Sequence, residues 1–164
     1  MIRSADFSEC GQYRYCLTRI WDEKRPLAMC IGLNPSTAGI DKDDPTIRQL
    51  IDRLTWLGYG GLKMTNLYAL VSSKPQRLFE VPDAIKGNND WLLKTRVKCK
   101  DVIYCWGDFK KIELRAKFVI SLIPGGKCFG RTKSGAPMHP MALMYAGVKY
   151  NETNIEPYEK RSNN

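Results

Sequence analysis

One uninterrupted run of apolar residues limits the fold of this chain more than any other feature. Residues 27–32 read Leu-Ala-Met-Cys-Ile-Gly, which is typical of a strand buried on both faces of a parallel sheet. After a loop, Asp44 and Pro45 supply the capping acid and the first-turn proline of a helix. Apolar residues then recur at helical spacing as far as Gly58. Similar patterns predict further strands over 13–21, 63–68, 102–106 and 127–129, and further helices over 90–98 and 108–122.

Strands that alternate with helices predict a parallel sheet with helices packed against both faces. The chain has 164 residues, a length usual for one domain. We therefore expect a single three-layer α/β/α domain over residues 1–150, with a short, mainly parallel central sheet. Residues 151–164 are polar, so we expect them to form a frayed C-terminal tail.

Basic residues outnumber acidic ones, and the excess lies mostly in the second half of the chain. The formal net charge is +9, and residues 94–133 hold 11 Lys and Arg side chains against Asp101, Asp108 and Glu113. Such an excess favours a polyanionic partner, most simply DNA. A solvated lysine-rich surface is the alternative that charge alone leaves open.

The sequence carries no pattern typical of a membrane protein, a secreted protein or a metalloprotein. No apolar run approaches the roughly 18 residues of a membrane span, and the first residues lack the apolar core of a secretory signal. The six cysteines form no C-x-x-C pair, so neither a zinc site nor an iron–sulfur cluster is predicted. We expect a cytoplasmic protein with reduced thiols and without a cofactor, a metal or an obligate protein partner.

Four loops follow the predicted strands, at the sheet edge where ligands bind in folds of this kind. Residues 32–36 read Gly-Leu-Asn-Pro-Ser, and the proline fixes a turn that aims the Asn34 amide. Asn66 ends the next strand, and its amide has the donors and the acceptor that match a pyrimidine edge. Trp106 ends the third strand, and His139, the only histidine, lies between two prolines after the fourth. Each motif also has a structural interpretation, as a turn, a cap or a packing residue.

Taken together, these motifs resemble those of the uracil-DNA glycosylase superfamily over roughly residues 27–145. Residues 32–36 resemble its first motif, and Asn66 resembles its pyrimidine-reading asparagine. His139 and Pro140 resemble its His-Pro-Ser motif, which opens a loop that probes the DNA minor groove. The resemblance implies a uracil-DNA glycosylase-like fold. It also implies a monofunctional DNA N-glycosylase that excises a flipped-out modified or damaged pyrimidine and leaves an abasic site.

The chain is also similar to a small bacterial and phage domain family of unknown function. This similarity rests on Asn-Pro-Ser-Thr-Ala from Asn34, Asp-Pro-Thr from Asp44, Tyr-Gly-Gly from Tyr59, and the terminal His139-Pro140. It is the closer of the two resemblances and implies no biochemistry. The phage association makes a hypermodified phage cytosine one candidate base, and phage defence one candidate role.

Three departures from the uracil-DNA glycosylase pattern imply an altered pocket. Met141 stands where serine usually follows His-Pro, and Asn34 stands where the most active uracil enzymes have aspartate. No phenylalanine stands just behind the first motif, where a base-stacking ring is expected. These departures fit a pocket altered for another base, or one that has lost catalysis.

The resemblance and the chemistry of the residues together assign a role to each candidate. Asn34 holds the attacking water, and His139 donates a hydrogen bond to the departing base, which contributes on the order of 3–4 kcal/mol. A base-binding group consists of Asn66, Tyr68, Pro35 and Ser36. A DNA-binding group contacts phosphates or replaces the flipped base, and it consists of Thr37, Arg131, Lys133, Ser134, Met141 and Leu143.

Two other functions remain open from the sequence. A hydrolase or transferase that acts on free nucleosides or nucleotides would use the same pocket, and it predicts weak duplex binding with little salt dependence. A non-catalytic nucleic-acid-binding domain, in which Asn34 and His139 only shape the fold, predicts that alanine at either position leaves binding intact.

Overall fold

The computed structural model of the protein describes residues 1–159. Within them the strands are β1 (Ile2–Phe7), β2 (Arg14–Ile20), β3 (Leu27–Gly32), β4 (Gly61–Asn66), β5 (Asp101–Tyr104), β6 (Lys127–Cys128) and β7 (Glu156–Pro157). The helices are α1 (Pro45–Trp56), α2 (Asn88–Arg96), α3 (Glu113–Leu122) and α4 (Pro140–Tyr145). Short 3₁₀ helices cover Pro75–Phe79 and Tyr150–Glu152.

The strands form one mixed sheet in the order β1-β2-β4-β3-β5-β6-β7. Its centre, β4-β3-β5-β6, is parallel, but β2 is antiparallel to β4, and β1 and β7 are antiparallel additions at the two edges. The prediction of a mainly parallel sheet is therefore wrong. The physical reason at the N-terminal side of the sheet is connection length, since only residues 8–13 separate β1 from β2 and only residues 21–26 separate β2 from β3. So short a connection joins antiparallel strands only.

Helices cover both faces of this sheet, as the alternation of elements predicted. Ala28 and Cys30 of β3 pack on the face covered by α1 and α4. Met29 and Ile31 pack on the opposite face, which α2 and α3 cover. All four side chains are fully buried, which explains why β3 is an unbroken apolar run.

The helix boundaries follow the capping signals with two exceptions, of which one is α2: it begins at Asn88, two residues before the predicted start, with Gly87 as its N-cap, and it ends at Arg96. α1 begins at Pro45 as predicted, since the Asp44 carboxylate accepts a hydrogen bond from Ile47 N at 2.9 Å. α3 begins only at Glu113, because residues 108–112 form a loop in which Lys111 has a φ of 72°. The elements β1, α4 and β7 have no counterpart among the predicted ones.

The described part of the predicted tail, 151–159, is packed onto the fold and is not frayed. Thr153 is only 3% exposed, and its hydroxyl accepts a hydrogen bond from Arg53 Nη1 at 2.7 Å. β7 pairs with β6, and the ring of Tyr158 packs against Trp106 with a centroid distance of 6.4 Å. The rest of the predicted tail, 160–164, lies outside the described residues.

Three further findings concern residues 1–159 alone. No helix there is long and apolar enough to cross a membrane. No group of three or more His, Cys, Asp or Glu side chains is arranged so that it could hold a metal ion. The six cysteines are free thiols, of which Cys10 is exposed and the others are buried.

Candidate functional site

A cavity of about 230 Å³ lies at the carboxyl ends of the parallel strands. β3 lies between β4 and β5, so the chain leaves β3 toward one neighbour and later returns to the other. Ligands bind at such switch points in α/β sheets. The cavity is lined by Arg14, Gly32, Leu33, Asn34, Ser36, Asp44, Thr46, Ile47, Met64, Asn66, Ser72, Ser73, Pro75, Trp106 and His139. The structure thus brings Asn34, Asn66 and His139, which are far apart in sequence, into one wall.

The Asn66 side chain is the most unusual polar group of this wall. It is 2% exposed, and its amide nitrogen Nδ2 has no hydrogen-bond partner among the described residues. A buried donor without a partner costs on the order of 1–3 kcal/mol. A ligand acceptor in the cavity would remove that cost.

Hydrogen bonds from two other side chains fix the backbone around Asn66. Asn88 Nδ2 donates to Asn66 O at 2.7 Å, and Arg115 Nε donates to Leu67 O at 2.8 Å. Gly32 faces the amide from the neighbouring strand, and a Cβ at that position would lie 2.8 Å from Asn66 Oδ1. The orientation of the Asn66 amide therefore depends on glycine at position 32.

His139 is the N-cap of α4, and this role fixes its tautomer. Its Nδ1 accepts a hydrogen bond from Met141 N at 3.1 Å, so the neutral ring carries its proton on Nε2. Burial lowers the pKa of His139, and the negative charge of Asp44 offsets part of this effect. At neutral pH the cavity therefore contains an uncharged imidazole with one N–H donor.

Two backbone features bring His139 back to the strand ends. Gly107 follows β5 with a φ of 74°, and a Cβ there would lie 3.2 Å from the Cβ of His139. The segment 130–138 folds back on itself, because Met138 N donates to Gly130 O at 3.0 Å. This fold-back places the residue that follows it, His139, beside the turn after β5.

Asn34 lines the cavity, but its amide nitrogen is used to hold the backbone. Nδ2 donates to the carbonyl oxygens of Pro35, Leu70 and Ser72, at 3.0, 3.3 and 2.8 Å. Of the two ends of the amide, only the NH₂ group can donate to these carbonyls, so the contacts identify which end is the nitrogen. The carbonyl oxygen Oδ1 is the end that is left for a water molecule.

Arg14 is a cavity residue that the sequence motifs did not identify. It opens β2, and its backbone N donates to Ala69 O at 2.9 Å, just beyond the end of β4. Since β2 is antiparallel to β4, the first residue of β2 lies at the carboxyl edge of the parallel strands. The position of Arg14 at this edge depends on the direction of β2 relative to β4. The residues around Arg14 do not indicate that direction.

The sequence pattern identifies Asp44 only as a helix cap, although the residue also lines the cavity. One carboxylate oxygen, Oδ1, accepts the hydrogen bond from Ile47 N. Among residues 1–159, it is the only carboxylate in the cavity wall. A capping aspartate and a functional one look alike in sequence, so only the fold separates the two roles.

The predicted base-binding group is divided by the structure. Asn66 and Ser36 line the cavity, whereas Pro35 and Tyr68 do not. Tyr68 is buried in the core on the α2/α3 face and packs edge-on against Phe79 at a centroid distance of 6.2 Å. Core packing, the alternative to a stacking role, is therefore its observed environment.

The predicted DNA-binding group lies outside the cavity wall. Leu143 is 5% exposed and packs in the core on the α1/α4 face, so it is not available as a wedge in this structure. Arg131 stacks over the ring of Tyr158 at 4.4 Å, and the Ser134 hydroxyl donates to the Asp108 carboxylate. The other members are half-buried Met141 and exposed Thr37 and Lys133.

The fold and the cavity define an α/β protein with a polar cavity at the carboxyl ends of its parallel strands. A family model described as "Protein of unknown function (DUF1643)" matches residues 14–141. The chain belongs to this family, which confirms the predicted similarity to a domain family of unknown function. The match extends from Arg14 past His139 and so includes every residue of the cavity wall. No curated protein and no solved structure matches the chain.

Proposed function

We propose that the cavity binds a pyrimidine base and that the protein hydrolyses the N-glycosidic bond of a modified or damaged pyrimidine nucleotide flipped out of DNA. The observation that carries this proposal is the buried, unpartnered Asn66 amide in the same wall as His139. The order of the strand-end motifs, which resembles that of the uracil-DNA glycosylase superfamily, supports it. A base must leave the duplex stack to enter such a cavity, at a cost of a few kcal/mol.

Asn66 is the group that recognises the base. Its Nδ2 donates to a carbonyl oxygen of the pyrimidine, and its Oδ1 accepts a hydrogen bond from a ring or exocyclic N–H. The contacts from Asn88 and Arg115 to the backbone at residues 66 and 67 hold this amide in place. Recognition by a preorganised amide requires no rearrangement of the protein when the base arrives.

His139 stabilises the leaving base. As the bond between the sugar C1′ and the base nitrogen breaks, its electron pair moves onto the base, and negative charge develops on a carbonyl oxygen. A neutral His139 donates from Nε2 to that oxygen, since Nδ1 already accepts from Met141 N. One preorganised donor of this kind is worth about 3–4 kcal/mol.

Asp44 and Asn34 act on the other side of the broken bond. The sugar becomes oxocarbenium-like, as in glycoside hydrolysis generally, and the Asp44 carboxylate stabilises this positive charge. A water oxygen then bonds to C1′ and releases one proton to the Asp44 carboxylate. Asn34 Oδ1 accepts a hydrogen bond from the same water and thereby orients it.

The experiment that tests this function is an abasic-site assay. DNA containing uracil, thymine mismatches, or hydroxymethylated or glucosylated cytosine is incubated with the protein and then cleaved with alkali. His139→Asn keeps a capping side chain but lacks the imidazole, and it should lower the rate about 10²–10³-fold. Asn66→Asp removes the amide donor and should abolish excision, whereas the exposed Asn151→Asp is the matched control.

Absence of abasic sites from every substrate would overturn the glycosylase proposal. Hydrolysis of free nucleotides is the second candidate, because the burial of Leu143 removes one predicted wedge. The same proteins are therefore incubated with free pyrimidine nucleotides, and release of the base is followed by chromatography. Release from nucleotides but not from DNA would favour this second candidate.

A further inference from the structure

We propose that Arg14 forms an anion subsite within the cavity and binds a phosphate of the nucleotide whose base Asn66 recognises. The guanidinium belongs to a side chain that is 3% exposed and forms part of the cavity wall. That the anion is a phosphate rests on the proposed function. That the cavity binds an anion here rests only on the contacts of Arg14.

The buried charge of Arg14 lacks the partner that buried charges usually have. Among residues 1–159, no Asp or Glu oxygen lies within 4.0 Å of its guanidinium. Nη1 donates to Ala38 O at 2.7 Å, but Nε has no acceptor in the described part of the chain. The Arg14 cation thus has an N–H donor without an acceptor, and the side chain lines an open cavity.

A buried arginine on the same strand shows that this fold can satisfy such a group. Arg19, on the same strand, donates from Nε to Asp43 Oδ1 at 2.8 Å and from Nη1 to Thr18 O at 3.0 Å. Arg53 donates to Thr153, Val148 and Gln49, but its Nε also has no acceptor among residues 1–159, and the residue does not line this cavity. Arg115 also has an unpartnered nitrogen, but it does not line the cavity. Of these arginines, only Arg14 both has a guanidinium nitrogen without an acceptor and lines the cavity.

The surroundings of Arg14 match a phosphate. Ser36, Thr46 and Ser73 line the same cavity, and a hydroxyl is a side-chain group that can donate to phosphate oxygens. A planar guanidinium matches two oxygens of a phosphate at once. Burial lowers the pKa of Arg14 to about 10, and the charge of Asp44 opposes this shift. The side chain is therefore still cationic at neutral pH.

Such a phosphate has two possible sources. It is either a phosphodiester of a DNA strand beside the flipped nucleotide, or the terminal phosphate of a free nucleotide. Both present the same oxygens to the guanidinium, so the contacts of Arg14 are the same for both. The experiment below separates the two by its choice of ligand.

The test measures binding, which does not require turnover. Calorimetric titrations compare thymidine, thymidine 5′-monophosphate and a short thymidine oligonucleotide on wild-type protein, Arg14→Met and Arg14→Lys. Wild-type protein should bind a phosphate-bearing ligand at least about tenfold more tightly than thymidine. Arg14→Met should lose this advantage, and Arg14→Lys should keep part of it. Arg25→Met changes an exposed arginine at the opposite end of β3 and is the matched control.

Nuclear magnetic resonance of the wild-type protein keeps the proposal testable if the variants fold poorly. The arginine Nε–H signals are recorded while inorganic phosphate is added, and the Arg14 signal should shift most. If only the monophosphate binds more tightly than thymidine, and Arg14→Met removes the difference, the phosphate is that of a free nucleotide. If only the oligonucleotide does so, the phosphate belongs to a DNA strand. Equal affinity for thymidine and both phosphate-bearing ligands, or an unmoved Arg14 signal, overturns the anion subsite.

The two proposals fail separately. Excision that is unaffected by Arg14→Met, together with no phosphate gain in binding, would leave the glycosylase and remove the subsite. An Arg14-dependent phosphate gain without base release from any substrate would leave the subsite and remove the hydrolase.

Discussion

His139 combines two tasks in one ring. Its Nδ1 caps α4 by accepting a hydrogen bond from Met141 N, and its Nε2 is the proposed donor to a ligand. Both roles require the same neutral tautomer. Protonation of Nδ1 would cancel the cap and add a charge to a buried site. The helix cap therefore selects the protonation state that the proposed chemistry requires.

This arrangement predicts how stability depends on pH. Because burial lowers the pKa of His139 in the folded protein, the unfolded chain binds the proton more readily, with a pKa of about 6.5. The neutral ring therefore makes its full contribution to the unfolding free energy above that value. This contribution is lost as the pH falls through the lower pKa that the ring has in the folded protein. His139 is the only histidine, so His139→Asn should show a smaller loss of stability on acidification. Urea unfolding at about pH 7.5 and about pH 5.5 measures this.

The stability difference between wild-type protein and His139→Asn is the decisive quantity. We expect it to shrink or change sign between the two pH values. A difference that is the same at both would contradict the assignment of a depressed pKa to this ring.

Gly32 makes a second prediction for a single residue. A Cβ there would lie 2.6 Å from Met64 Cε and 2.8 Å from Asn66 Oδ1, so Gly32→Ala forces the Asn66 amide to move. We expect a cost of about 1–3 kcal/mol in unfolding free energy, together with weaker binding of pyrimidine ligands. Gly39→Ala is the control, because a Cβ at that position meets no atom within 4 Å. Unchanged ligand affinity in Gly32→Ala would show that the amide orientation does not matter.

At the scale of elements, the loop after β3 is tied to the loop after β4. Asn34 Nδ2 bridges them through the carbonyls of Leu70 and Ser72, and Ser72 N donates back to Pro35 O at 2.9 Å. Hydrogen bonds in both directions therefore join the two loops. An effect of an Asn34 substitution on activity has to be separated from its effect on this connection.

We predict that Asn34→Ala lowers the unfolding free energy by about 1–3 kcal/mol, because carbonyls at the loop junction lose a donor. Chemical unfolding measures this loss, and the exposed Asn151→Ala serves as the comparison. If Asn34→Ala kept its full stability but lost activity, the result would indicate that Asn34 takes a direct part in the reaction. It would also show that its hydrogen bonds between the two loops do not stabilise the fold.

The sequence contains the information for the central strands and their polar ends, but not for the partners of β2. Residues 27–32 are apolar because both faces of β3 are buried, so this pattern is local and readable. The placement of Arg14 depends on an antiparallel pairing with β4, which lies some 45 positions away. The pattern at Asp44 correctly predicts a helix start, yet the cavity beside it forms only when α1 packs against the sheet. Pairing and packing over such distances leave no short-range pattern.

On the scale of the whole molecule, the C-terminal segment supports the site. Tyr158 packs against Tyr104 at 5.5 Å and against Trp106 at 6.4 Å between ring centroids, and its hydroxyl donates to Gly135 O at 3.0 Å. Trp106 in turn lines the cavity. The last described residues thus brace both the end of β5 and the fold-back that carries His139.

Tyr158→Ala should therefore lower both stability and activity. Loss of a large aromatic from a packed site costs about 3–5 kcal/mol when it is fully buried, and Tyr158 is partly buried, so a smaller loss is expected. The matched control is Asn154→Ala on the same segment, which is exposed. Thermal unfolding and base release are measured together, and unaltered values for both would contradict the bracing role.

The edge strands of the sheet come from the two ends of the described chain, β1 at one side and β7 at the other. Across seven strands this sets the edges apart by about 29 Å, since neighbouring strands are about 4.8 Å apart. Two dyes placed near residues 2 and 157 would therefore sit at a separation well suited to energy transfer. The chain ends would then report, in one optical signal, whether the entire sheet is intact while ligands are exchanged in the cavity between them.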